Sequence, residues 1–466
     1  MGNGRGVVAA IVGAIAFALT AGPVAAESMN AALGSAYINN PDLNSARAQL
    51  RAIDEGVPKA LSGYRPQINV TGDLATKTTR LHTPSSEFAP ANTSDWSTGS
   101  MPRGVQLSVE QPIFLGFRTT NSVKLAQSSV KAAREQLKVV ESNVLLDAVT
   151  AFMDVIRSQV VVNLTAQNIE FLREQVRAAE DRLNVGEGTR TDVAQTNARL
   201  QEGISDYAQA VADLNQAIAT YIQVIGHRPD SLGGYNGIEK LLPRSMDAGL
   251  AVALSDHPSI VSALYNIDIA SYNVRIAEGA TLPTVGVQGS LTHRQDEGGE
   301  GSWNQDARIT GRLSVPIYQG GEVAANVRQF KETLGQRRID LDSARAQVRQ
   351  AFVSAWGQLD AARAQVTAAQ AQLAAQQLVL SGVMEEQRVG QRTVLDVLDA
   401  QQDLLQAQVS LVNAQYGRVV GAYSLLSAYG RLDAETLALA VEIYDPAEHY
   451  YAVRDKWGGL RTPDGR

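Results

Sequence analysis

The chain has 466 residues, no cysteine, and a net charge of −7 from 41 Lys and Arg against 48 Asp and Glu. The missing thiols remove disulfides and thiolate metal sites and fit an oxidising compartment. The acidic balance argues against nucleic acid as a partner.

Residues 1–26 carry one positive charge, Arg5, then an apolar run from Val7 to Leu19 and the small residues Val24-Ala25-Ala26. That pattern predicts a secretory signal peptide cleaved after Ala26. No Cys follows it, so a lipid-modified N-terminus is not expected. No later apolar run is long enough to cross a bilayer as a helix. The remaining options are a periplasmic protein, a secreted one, or an outer-membrane β-barrel.

A helix is expected from about Met29 to Leu61. Ile68, Val70 and Leu74 then alternate with polar residues, as do Val105, Leu107 and Val109 just before Pro112. Each segment has a period of two and about the length that crosses an outer membrane at a tilt. The stretch between them, Arg80 to Pro102, reads as an exposed Ser/Thr/Pro-rich loop. No proline occurs between Pro112 and Pro229. Val155, Val162, Ile169, Val176 and Leu183 recur every seven residues, the signature of a left-handed supercoil. A helix from about Phe117 to Leu183 would be roughly 100 Å long at the usual rise per residue. It stops at Val185-Gly186, and a return helix runs from about Asp192 to Ile225.

The same elements then recur. A helix is expected at Met246–Gly279, strands around Val285–Leu291 and Ile309–Val315, a long helix at Glu322–Arg388, and a return helix at Asp396–Ala428. The segment His293 to Gln305 reads as a second exposed loop. From Pro112 and Pro316 onward the two copies keep a constant offset of 204 positions, so Val185-Gly186 returns as Val389-Gly390 and Gly226 as Gly430. Asn40-Pro41 returns as His257-Pro258, which makes His257 a helix-entry residue rather than a catalytic base. The organisation is therefore a first repeat over 27–230, a linker over 231–246, a second repeat over 247–430, and a tail over 431–466.

Four such strands cannot close a barrel, for which eight is the usual minimum. A shared barrel would satisfy every edge, and three chains would give twelve strands. A water-soluble sheet is the alternative, but its charged face has no evident cover. Tyr64, Phe114, Phe117 and Tyr318 flank the strands on the helix side. They read equally as an interfacial aromatic belt or as ordinary core.

The duplication, the signal segment and the text Val389-Gly-Gln-Arg-Thr-Val-Leu-Asp-Val-Leu-Asp-Ala400 together resemble the TolC family of outer-membrane channel proteins. The resemblance covers 27–430. It implies a mixed α and membrane-β fold: a homotrimer with a shared 12-stranded outer-membrane β-barrel, four strands per chain, continued by a long periplasmic α-helical barrel. It also implies an exit duct for efflux or type I secretion, opened by a periplasmic adaptor protein and an inner-membrane pump or ABC transporter. Asp396 and Asp399 match the family's pore-mouth acidic pair, which would set six carboxylates around one constriction and favour cations. They also read as ordinary acids of a helix's first turn. Arg392 matches a gate arginine that bonds Thr191 and Asp192 of the neighbouring turn. Gln387 stands where the family often has a gate Tyr, so the family's Tyr–Asp hydrogen bond would here be a Gln387–Asp192 bond. Val185, Gly186, Val389 and Gly390 match the tips where adaptors dock. The tail is expected to decorate the periplasmic equator.

No catalytic set, metal-ligand spacing or cofactor motif is evident, and the five histidines are scattered. The competing reading is a periplasmic coiled-coil structural or adaptor protein that never enters the membrane; the strands discriminate against it.

Overall fold

Residues 26–81, 96–233 and 237–465 are described by a computed structural model. The expected signal segment lies outside them apart from Ala26. The first half runs α1 (Met29–Asn39), α2 (Pro41–Asp54), α3 (Gly56–Leu61), β1 (Gln67–Leu74), β2 (Lys77–Leu81), β3 (Trp96–Ser100), β4 (Arg103–Leu115), α4 (Arg118–Asn184) and α5 (Arg190–Ile225). The second runs α6 (Met246–Asp256), α7 (Pro258–Gly279), β5 (Thr284–Gln295), β6 (Trp303–Ser314), α8 (Glu322–Arg388) and α9 (Val394–Ala428), followed by α10 (Glu448–Val453) in the tail.

Each half opens with a helix that proline breaks, where the sequence pattern predicts one continuous helix. Pro41 and Pro258 cannot donate a backbone bond inside a helix, so each starts a new one. Asn40 ends α1 and begins α2, and its Oδ1 accepts from the backbone N–H groups of Asp42 (2.9 Å) and Leu43 (3.2 Å). His257 does the same between α6 and α7, its Nδ1 accepting from Ser259 N at 3.2 Å. Sequence position and role agree here: both are caps.

The four long strands form one antiparallel sheet in the order β1-β4-β5-β6. Its register pairs Ile68 with Val109, Val70 with Leu107, Leu107 with Leu291, and Val285 with Leu313. Antiparallel partners point to the same face. One face is therefore apolar across all four strands, and much of it is exposed: Ile68, Val70, Leu74, Val105, Leu291, Ile309 and Leu313. The other face carries Asp73, Glu110, Arg294, Arg308 and Arg312. The stretch expected as a loop at Arg80–Pro102 contains part of a hairpin, β2 paired with β3, and its residues 82–95 lie outside the described ones. The loop expected at His293–Gln305 shrinks because β5 and β6 pair out to Gln295 and Trp303.

The strand order passes directly into the helices. Strand β1 follows α3, β4 leads into α4, β5 follows α7 and β6 leads into α8, and those helices pack in the same sequence, α3 on α4, α4 on α7 and α7 on α8. At the other end the hairpins α4–α5 and α8–α9 meet through α4 and α9. The two long helices are each 67 residues, the expected length. Val155, Val162, Ile169 and Val176 are buried on α4, and their repeats Leu359 and Val366 on α8. The copies differ in burial. Helix α4 has buried residues from Asn121 to Ala179, whereas α8 buries residues only from Leu341 to Ala369. Ile339 and Leu378 are exposed on it. The chain is thus a slab with two free edges, β1/α3 and β6/α8, from the sheet to the helices.

The tail departs from its expected place at the equator. Only its first part stays there: Ala434 N donates to half-buried Glu141 and Tyr444 N to the Tyr37 hydroxyl. Then α10 climbs along α2, placing His449 Nδ1 3.0 Å from the fully buried Asp54 carboxylate. Burial pushes the Asp54 and Glu141 carboxyls above the usual range. Arg65 Nη1, just before β1, donates to the Lys456 carbonyl at 2.6 Å.

Candidate functional site

The two hairpin turns are the same structure built twice. Helix α4 ends with Gly186 N donating to Leu183 O (3.1 Å) and Glu187 N to Arg182 O (2.8 Å). Helix α8 ends with Gly390 N donating to Gln387 O (3.1 Å) and Gln391 N to Glu386 O (2.9 Å). This pair of bonds closes a helix only when the following residue is left-handed. Gly186 and Gly390 have φ of 80° and 79°, with nothing near the place a Cβ would occupy. Val185 and Val389 stand at the tips, 72% and 71% exposed.

Both return helices then start with a capping box. Thr189 Oγ1 accepts from Asp192 N at 3.1 Å, and Asp192 Oδ2 accepts from Thr189 N at 3.0 Å. Thr393 and Asp396 repeat this at 3.2 and 2.8 Å. The Thr393 hydroxyl and backbone N–H hold the Asp396 carboxyl below its ordinary range. Asp192 and Asp396 are therefore anchored, and each keeps one carboxylate oxygen outside the box.

The expected gate contacts are absent within one chain. Arg392 Nε donates to Glu386 Oε2 at 2.9 Å instead of bonding Thr191 or Asp192, and that carboxylate raises the guanidinium's pKa. The reason is local: the tight turn leaves Glu386 within reach of Arg392 in the same hairpin. Thr191 is exposed beside it. Gln387 likewise does not reach Asp192; its side-chain carbonyl accepts from Arg182 Nη2 at 3.4 Å, joining the ends of the two long helices.

The acidic pair is also not two free carboxylates. Asp399 Oδ1 lies 2.8 Å from Arg199 Nη2, linking α9 to α5. Arg199 Nη1 holds Glu202 at 2.9 Å on its own helix, and Glu202 first, then Asp399, raise its pKa. Sequence reasoning missed Arg199, Glu386 and Arg182. The usable signal was a pair of opposite charges within three turns of equivalent caps, Arg199 ten residues past Thr189 and Asp399 six past Thr393. Among the described residues, no group of His, Asp or Glu is placed to hold a metal ion.

A free-edged slab with one apolar face and two exposed turns is a wall segment, and comparison with known proteins says of what. The family model described as outer membrane efflux protein matches residues 32–227 and again 250–431. The chain belongs to that family. It is 45% identical over 449 residues to the outer membrane efflux protein BepC of Brucella suis, covering 96% of this chain and 95% of that one. It is 24% identical over 426 residues to the outer membrane protein TolC of Escherichia coli, with 88% and 84% covered. Among solved structures it resembles the CmeC outer membrane channel of Campylobacter jejuni, with a TM-score of 0.74, 19% identity, and 92% and 89% covered. As an outer-membrane protein of the TolC family, the chain supplies four strands to a shared trimeric barrel, and its long helices extend into the periplasm. The exposed apolar face is accordingly the lipid-facing one.

Proposed function

We propose that three copies of this chain form an exit duct for small molecules, secreted proteins or both, with its mouth at the α4–α5 and α8–α9 turns. The observation that carries this reading is the pair of free edges running from the sheet into the helices. A monomer would leave edge-strand N–H and C=O groups unpaired in lipid, at a cost of several kcal/mol for each unsatisfied group. Joining β1/α3 of one copy to β6/α8 of the next pairs the strands and covers the exposed stripe of α8. A periplasmic coiled coil has no use for an apolar-faced sheet.

At the mouth, Asp396 and Asp399 favour cations, and Arg199 tempers Asp399. Arg392 exchanges Glu386 for Thr191 and Asp192 of the adjoining subunit when the mouth is shut. Glu386 is exposed and Asp192 only half-buried, so little solvation is lost in the exchange. Gln387 holds the two long helices together through Arg182. Val185, Gly186, Val389 and Gly390 form the rim that a periplasmic adaptor grips, and an inner-membrane pump supplies energy and substrate choice. Insertion of the purified protein into planar bilayers tests the reading. Discrete cation-preferring steps are expected. Membranes that stay silent with the native protein and with Arg392→Ser would contradict it.

A further inference from the structure

The end of the tail is fixed in place yet presents its apolar side chains to solvent. Val453 closes α10 fully buried, and Tyr450 packs with Val57, Ala126 and Val130. Four residues on, Trp457 is 75% exposed and Leu460 fully so. Trp457 is not loose: the Arg65 guanidinium carbon lies 4.6 Å from its ring centroid, and the same guanidinium holds the preceding carbonyl. Arg65 is two residues before the first residue of β1, so the ring sits level with the helix-side end of the membrane sheet. Exposed Tyr64, Phe117 and Tyr318 lie at that end as well. Lys456 and Arg461 flank Trp457 and Leu460, and Asp455 is neutralised by Arg454 at 2.8 Å. The segment is therefore locally basic on a chain whose net charge is −7.

We propose that residues 456–461 form an interfacial anchor, in which Trp457 and Leu460 enter the periplasmic leaflet and Lys456, Arg461 and Arg65 meet anionic phospholipid headgroups. Trp beside Lys and Arg at the rim of an apolar band is the composition that settles at a membrane–water boundary. Anionic headgroups attract such a cluster. The barrel thereby gains a peripheral hold on the membrane outside its strands. Docking by α10 and the Arg65 clamp set the height of the anchor. The proposal rests on the outer-membrane placement of the sheet.

Because the native chain has no cysteine, Gly458→Cys gives a single site for a spin label in the full-length protein. The labelled protein is placed in nanodiscs of phosphatidylcholine with or without phosphatidylglycerol, and accessibility to oxygen and to nickel-EDDA is compared. Glu187→Cys at the tip supplies the aqueous reference and Ile309→Cys on the apolar strand face the lipid reference. The oxygen-to-nickel ratio at 458 is expected to shift from the aqueous value at 187 toward the lipid value at 309. It should rise further with phosphatidylglycerol and fall to the aqueous value with Trp457→Ala/Leu460→Ala. An aqueous ratio at 458 beside a lipid-like ratio at 309 would overturn the anchor while leaving the barrel intact. An aqueous ratio at both positions would overturn the membrane reading as well. A label shielded from both reagents would place the segment against a neighbouring subunit and also overturn the proposal.

Discussion

Arg199 on α5 holds Asp399 on α9 at 2.8 Å, a bond that ties the two return helices to each other beyond their turns. Arg199 also holds Glu202 on its own helix. If the helices part, Arg199 keeps Glu202 and releases Asp399, so one guanidinium links the spacing of the helices to the charge at the proposed mouth.

Replacing Arg199 with Gln should therefore increase cation preference, because three carboxylates per trimer lose their counter-ions. Asp399→Ala should reduce it, and Asp396→Ala/Asp399→Ala should reduce it further without loss of assembly. Reversal potentials in a salt gradient read all three. The pair is partly exposed, so its coupling in a double-mutant cycle should be about 0.2–1 kcal/mol and weaken with salt. An unchanged reversal potential in Arg199→Gln would place Asp399 away from the ion path.

The gate makes a different prediction. Arg392→Ser should raise single-channel conductance and make cells leaky to bulky antibiotics. Glu386→Gln should leave conductance at the closed level, because the native Glu386 contact lies within one chain and does not bridge the mouth. If Glu386→Gln opened the channel as widely as Arg392→Ser, the intrachain pair would be the lock.

At the tips, Gly390→Ala adds a methyl group into open space, so its effect is that of the left-handed backbone alone, about 1–2 kcal/mol. The trimer should persist while adaptor capture and antibiotic resistance fall. Gly390→Asn tolerates the left-handed region better and should recover adaptor capture. Capture that stays as low with Asn as with Ala would show that the added side chain, not the backbone, is what the adaptor rejects.

His257 makes one joint sensitive to pH. Burial lowers its pKa, and its Nδ1 must be unprotonated to accept from Ser259 N. A lowered folded-state pKa means the contribution is present above the ordinary histidine value and is lost as pH falls through the folded one. The second-half joint should thus loosen on acidification while Asn40 keeps the first intact. His257→Asn should restore the cap and flatten the dependence of melting temperature on pH below neutrality. Asn40→Ala should cost about 1–2 kcal/mol at every pH, since it loses the cap and the bond from Nδ2 to Val224 O.

Much of the architecture was legible because it depends on local periodicity. The seven-residue spacing of Val155 to Val176 and the alternation around Ile68 and Ile309 set element type, and the repeat set their order. Asn40 and His257 were readable as helix-entry residues, but the full breaks at Pro41 and Pro258 were not placed. The site was less legible. Whether Arg392 reaches Glu386 or Asp192 depends on the turn's path, and Arg199 meets Asp399 across 200 residues of sequence. The climb of the tail depended on single tertiary contacts, Asp54 with His449 and Arg65 with Lys456, which carry no periodic signature.

The shared barrel is tested most directly by joining the first strand of one copy to the last strand of the next. Val70→Cys on the lipid-facing side of β1 is combined in turn with Ile309→Cys, Gly311→Cys and Leu313→Cys on the same side of β6, and the membranes are oxidised. Within one chain, β4 and β5 lie between these strands, so a bond can form only between copies. The account predicts a covalent product of three chains in at least one combination. Only single chains in all three would contradict it.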